Sequence, residues 1–75
     1  MSNNQKLSEI LSVLLGQNID INSDVSMTNC EVWDSMKHIE IITTLEEEFN
    51  ISFPIEDIPK LTSYALLLDA INKLT

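Results

Sequence analysis

Apolar residues recur along this chain with the period of a helix. Leu7, Ile10, Leu11 and Leu14 fall at i, i+3, i+4 and i+7, so they share one face of an amphipathic helix. Gly16 should end it, since glycine enters a left-handed cap without a steric penalty. From Gln17 to Trp33 the periodicity fails. Turn-forming Asn18, Asp20, Asn22, Ser23 and Asp24 are interleaved there with apolar Ile19, Ile21, Val25 and Met27. That mixture predicts a long loop pinned to the core by its apolar side chains. Loops of this length are uncommon in compact domains and tend to serve function.

Helical spacing resumes near Ser35. Ile39, Ile42, Leu45 and Phe49 form the expected buried stripe, helped by Met36 and Ile41, and Asn50 is the expected end. Lys37, Glu40, Thr44, Glu47 and Glu48 share the opposite face. Pro54 and Pro59 should confine the next helical piece to about one turn around Glu56 and Asp57. Thr62 or Ser63 caps a last helix whose apolar face is Tyr64, Leu67, Leu68, Ile71 and Leu74. Ile51-Ser52-Phe53 alternates like a strand but is too short to be one. The expected fold is all-α, a small antiparallel bundle of three main helices plus one short helix, with a long loop after the first. Residues 1–75 are expected to make a single domain.

Composition narrows the possibilities. A chain this short buries only about 60% of its unfolded surface, so its core is thin. Cys30 is the one cysteine. It excludes an intrachain disulfide, offers no zinc-type cluster, and is expected to be an inert thiol in a reducing, cytoplasmic setting. The opening MSNNQKLSEILSVLLG is too interrupted for a signal peptide, and no apolar run reaches the ~18 residues of a membrane span. Twelve acidic residues against four lysines give a net charge of −8. Such a surface repels phosphate backbones, which argues against nucleic acid, and is drawn to basic patches on other proteins. A hydrophobic fraction of 44% is too high for disorder.

One stretch, VWDSMKHI at residues 32–39, carries the candidate chemistry. A nucleophilic Ser35 would need a base, and His38 lies one helical turn on, but no glycine-rich elbow accompanies the pair. His38 is therefore expected on the helix surface. A calcium loop is a second candidate. Asp20, Asn22, Asp24 and Glu31 occupy positions one, three, five and twelve of an EF-hand pattern, yet Val25 stands where glycine should make the turn. Helix capping accounts for the rest. Asp34 can accept from the backbone N–H of Met36 or Lys37 and leave the Ser35 hydroxyl unused. A hydroxyl so placed sits at the positive end of a helix dipole, which favours a phosphate ester by about 0.3–1 kcal/mol per charge.

These residues resemble the acyl carrier protein family. Asp34-Ser35-Met36 is similar to the family's Asp-Ser-Leu motif. The similarity continues through Glu40, Leu45-Glu46-Glu47-Glu48-Phe49, Pro54, Glu56-Asp57, Lys60-Leu61-Thr62 and the last helix. The resemblance implies that Ser35 receives 4′-phosphopantetheine from coenzyme A, through a phosphopantetheinyl transferase. The thiol of that group would hold acyl intermediates as thioesters for loading and processing enzymes with basic docking patches. Asp34 and Met36 would help the transferase recognise the site. Glu40 and Glu47 match the family's docking acids, and Glu46 and Glu48 extend them. The apolar interior would shelter part of the acyl chain. The carrier would itself catalyse nothing, hold no metal, and act as a discrete monomer.

Three departures from the family pattern point to a dedicated pathway, such as polyketide, peptide, lipid or surface-glycan assembly, and away from housekeeping fatty-acid synthesis. Lys37 and His38 replace an acidic and a small polar residue after the motif, and Trp33 replaces a small residue before it. Trp33 is expected to act as a lid on the core. The absence of glycines before Ser35 favours an acyl or aminoacyl cargo over a growing peptide. The alternative to a carrier is an acidic interaction or calcium-binding domain with no prosthetic group.

Overall fold

A computed structural model of the chain describes residues 2–75. Three α-helices form the frame: α1 (Asn3–Leu15), α2 (Ser35–Phe49) and α3 (Tyr64–Leu74), with a short 3₁₀ helix at Ile55–Lys60 between the last two. α1 packs against both α2 and α3, and among the described residues there is no named strand. The expected small helical bundle is the fold observed.

Local chemistry sets most of the boundaries. The Ser2 side chain caps α1 by accepting the Gln5 N–H at 3.1 Å, and Gly16 closes it in the left-handed region at φ 64°. α2 ends the same way at Asn50, φ 55°, a residue type that tolerates this conformation. Ser63 caps α3 by accepting the Leu66 N–H at 3.2 Å. The short helix departs from expectation. It runs past Pro59 to Lys60, because a proline costs a tight 3₁₀ turn less than it costs a long α-helix.

The core lies where the helices converge, on Leu7, Leu11, Ile41, Leu45, Leu67 and Ile71. In α1 the buried line is Leu7, Ser8, Leu11 and Leu15, while Ile10 and Leu14 flank it half-buried. The long loop is pinned as its pattern required, by Ile19 and Val25 in the core with Met27 packed against it, although Ile21 is exposed. Polar ties complete the anchoring. Ser12 Oγ accepts the Ile19 N–H at 2.9 Å. Further on, the Met27 N–H reaches Thr62 O at 3.0 Å and the Tyr64 N–H reaches Val25 O at 2.9 Å. These bonds clip the loop to the start of α3 and bring the end of the loop, Cys30 to Asp34, into α2.

α2 carries a correction. Its buried residues are His38, Ile41, Ile42 and Leu45. Ile39 and Met36, assigned above to the buried stripe, are 60% and 84% exposed. The stripe is rotated because His38 stands at i−3, i−4 and i−7 from Ile41, Ile42 and Leu45, completing a face that hydropathy alone would leave polar at that position.

Candidate functional site

Ser35 is the first residue of α2 and is exposed. Asp34 caps the helix, its Oδ1 accepting the Lys37 N–H at 2.8 Å, and its backbone carbonyl accepts the His38 N–H at 2.8 Å. Two earlier bonds fix the approach: the Trp33 N–H donates to Cys30 O at 3.1 Å and the Asp34 N–H to Val32 O at 3.0 Å. The chain therefore arrives at Ser35 already shaped, and Ser35 contributes nothing to that shape. Among the described residues, its hydroxyl and the N–H groups of Ser35 and Met36 have no hydrogen-bond partner. Orphan N–H groups at a helix start make a ready anion site.

Beneath this exposed turn lies a buried polar pair. Trp33 is 1% exposed and His38 6%, so Trp33 belongs to the core itself and His38, expected on the surface, does not lie there. The Trp33 Nε1–H donates to His38 Nδ1 at 3.0 Å, and His38 Nε2 meets Ile58 O at 2.7 Å. One tautomer, with the proton on Nε2, satisfies both bonds. The ring centroids are 6.1 Å apart with planes 26° from parallel, a separation that suits edge-to-edge hydrogen bonding better than face stacking. With both ring nitrogens engaged, His38 has no lone pair to offer Ser35 as a base, and a Ser-His nucleophile has no support here. The sequence did hold one sign of this pair, the position of His38 on the Ile41/Ile42/Leu45 face.

The acidic residues divide by what they touch. Glu40 forms an ion pair with Lys37 at 2.7 Å on the α2 surface. Glu47 and Glu48 are exposed, while the backbone carbonyl of Glu48 accepts from Lys6 Nζ at 2.6 Å. Glu46 is half-buried, its Oε2 accepting the Phe53 N–H at 2.8 Å. That bond anchors the turn after α2, so Glu46 is engaged inside the molecule. Beside Ser35, Met36 and Ile39 present apolar surface, and Ile55, 85% exposed, opens the short helix. An open apolar cleft of about 350 Å³ lies between the short helix and α3, lined by Phe53, Leu61, Leu66, Ala70 and Leu74 with Lys60 and Lys73 beside them.

The EF-hand pattern does not make a calcium loop. Asp20 Oδ1 is taken by the Asn22 N–H at 2.9 Å, and Val25, at the glycine position, is buried in the core with no positive φ. Among the described residues no three His, Cys, Asp or Glu side chains gather as a metal site.

A covalent phosphate ester on Ser35 fits these residues. The oxygen is accessible, the cap does not need it, and two unpaired N–H groups at a helix start stand beside it to meet the negative charge. Phosphopantetheine, when bound, supplies a thiol at the end of a long arm. With Ser35 as its attachment point, this chain's own part would be to hold out the hydroxyl, keep it clear of internal bonds, and present the surface around it. A family model described as the phosphopantetheine attachment site matches residues 5–71, taking in α2, the long loop and most of α1 and α3. The chain therefore belongs to the phosphopantetheine-binding carrier family, whose members hold that prosthetic group covalently and are not themselves catalysts.

Proposed function

We propose that Ser35 is the attachment point and that residues 1–75 act as one monomeric acyl carrier domain in the cytoplasm. In loading, the Ser35 hydroxyl oxygen bonds to the phosphorus that will carry pantetheine. The P–O–P bond of coenzyme A breaks, its nucleotide half departs, and the hydroxyl proton passes to a base of the transferase. The observation that carries this reading is the exposed, unbonded Ser35 hydroxyl at the capped start of α2, in a chain of the phosphopantetheine family. Asp34 and Met36 form the recognition surface at that turn, and Glu40 and Glu47 draw in basic patches of acyl-processing partners. The departures from the family pattern at Lys37, His38 and Trp33 are the grounds for a dedicated pathway over housekeeping fatty-acid synthesis. Such a pathway would carry acyl or aminoacyl cargo.

The test is the intact mass of the chain before and after incubation with coenzyme A, magnesium and a promiscuous phosphopantetheinyl transferase. The wild type should gain one phosphopantetheinyl group. Ser35→Ala should gain none, while its circular dichroism stays native because Asp34 retains the cap. Loading of the alanine variant would remove Ser35 from the role.

A further inference from the structure

The short 3₁₀ helix buries none of its own residues. Its apolar attachment is Ile58, half-buried against the core. Among the described residues, one side-chain hydrogen bond reaches it from elsewhere in the chain, His38 Nε2 to Ile58 O at 2.7 Å. The same ring holds Trp33 through Nδ1, and Trp33 stands two residues before Ser35. His38 thus ties two segments to the first turns of α2: the strap that delivers Asp34 and Ser35, and the short helix that presents Ile55. Trp33 is held in the core, and buried Phe53 and Leu61 anchor the two ends of the short helix; between those anchors the ring is the side-chain hydrogen-bonded link that joins the two segments.

We propose that His38 is a positioning residue for modification of Ser35. Its Nε2–H holds the short helix at a fixed distance from Ser35, so that a transferase meets the serine and the surface opened by Ile55 as one rigid face. The saving is in docking, because a segment fixed beforehand need not be ordered when the partner binds. This inference rests on Ser35 being the attachment point.

The two ring nitrogens allow the role to be separated from simple core stability. Asparagine places its Oδ1 near the position of Nδ1, so His38→Asn keeps the acceptor for Trp33 and loses the bond to Ile58. Glutamine places its Nε2 near the ring's Nε2, so His38→Gln keeps the donor to Ile58 and loses the acceptor. The experiment measures steady-state loading of the whole chain with coenzyme A, magnesium and a purified transferase, alongside urea stability, for wild type, His38→Leu, His38→Asn and His38→Gln. For His38→Leu the KM for the carrier should rise about tenfold, the worth of one well-made hydrogen bond, with kcat within about twofold of wild type. His38→Gln should restore most of the KM, whereas His38→Asn should restore stability and leave the KM high. A KM unchanged in a folded His38→Leu, or one that follows stability across the series, overturns the proposal. Loss of fold in all three variants overturns it too, by assigning His38 to the core alone. A wild type that loads normally beside variants with a flat KM leaves the Ser35 reading standing. A wild type that takes up nothing removes both.

Discussion

Substituting leucine for His38 is the most direct thermodynamic probe of the pair beneath the site. Leucine approximates the volume of the imidazole but has no nitrogen. Trp33 Nε1–H, in a side chain 1% exposed, would lose its acceptor, and an unsatisfied buried donor costs about 1–3 kcal/mol. The other end costs less, because the Ile58 carbonyl keeps the Leu61 N–H at 3.2 Å. Added apolar burial returns part of the loss, leaving a net destabilisation of about 2 kcal/mol. For a domain of this size that corresponds to a fall in Tm of about 8–16 °C, or a urea midpoint lower by about 1–2 M. Unfolding followed by circular dichroism reads both quantities. Trp33→Phe removes the donor instead, and the double variant leaves neither partner stranded, so the cycle should show a coupling of about 1–2 kcal/mol. A His38→Leu variant within about 0.5 kcal/mol of wild type, or strictly additive single changes, would refute the hydrogen-bonded pair as drawn.

Three further outcomes are expected. Asp34→Ala should cost about 1 kcal/mol through loss of the cap, whereas Asp34→Asn should be nearly neutral in stability; if both are loaded at the wild-type rate, Asp34 has no recognition role. Burial holds the hydroxyl of Tyr64, the only tyrosine, above the ordinary phenol value near 10, with the nearby Ser8 side chain opposing the shift and the charge of Asp20 adding to it. A raised folded value means that this stabilisation is fully present below about pH 10 and is lost as pH rises through the folded value. The ultraviolet phenolate titration should therefore be displaced upward in the folded chain, and Tyr64→Phe should flatten that part of the alkaline stability loss. Charge reversal at Glu40 together with Glu47 should weaken docking to basic partners, and wild-type docking should fade as salt rises; docking indifferent to salt and to both reversals would remove the electrostatic component.

Much of this molecule was legible without its fold. The ends of α1 and α2 at Gly16 and Asn50, the cap at Asp34, the cap of α3 to within Thr62 or Ser63, and the helical class depend on interactions within a few residues, so a linear reading finds them. The same locality made Ser35 visible: Asp34 takes the cap next door, and the serine hydroxyl is left over. The pinned loop was partly legible, because Ile19 and Val25 are apolar among turn formers, but its clip to Thr62 and Tyr64 joins residues far apart in the chain.

Tertiary structure decided the rest. Ile39 is exposed and His38 buried because the partners of the imidazole, Trp33 and Ile58 O, come from other segments, and hydropathy scores histidine as polar wherever it stands. Glu46 reads like its neighbours Glu47 and Glu48 until the chain turns back and Phe53 N–H claims its carboxylate. By itself the sequence determined the three α-helices, the ends of α1 and α2 and the serine held out at the start of α2, because those depend on backbone groups within one turn. Only the packed chain could decide which side chains become internal partners, because a buried polar group must find its complement wherever the fold brings one within reach.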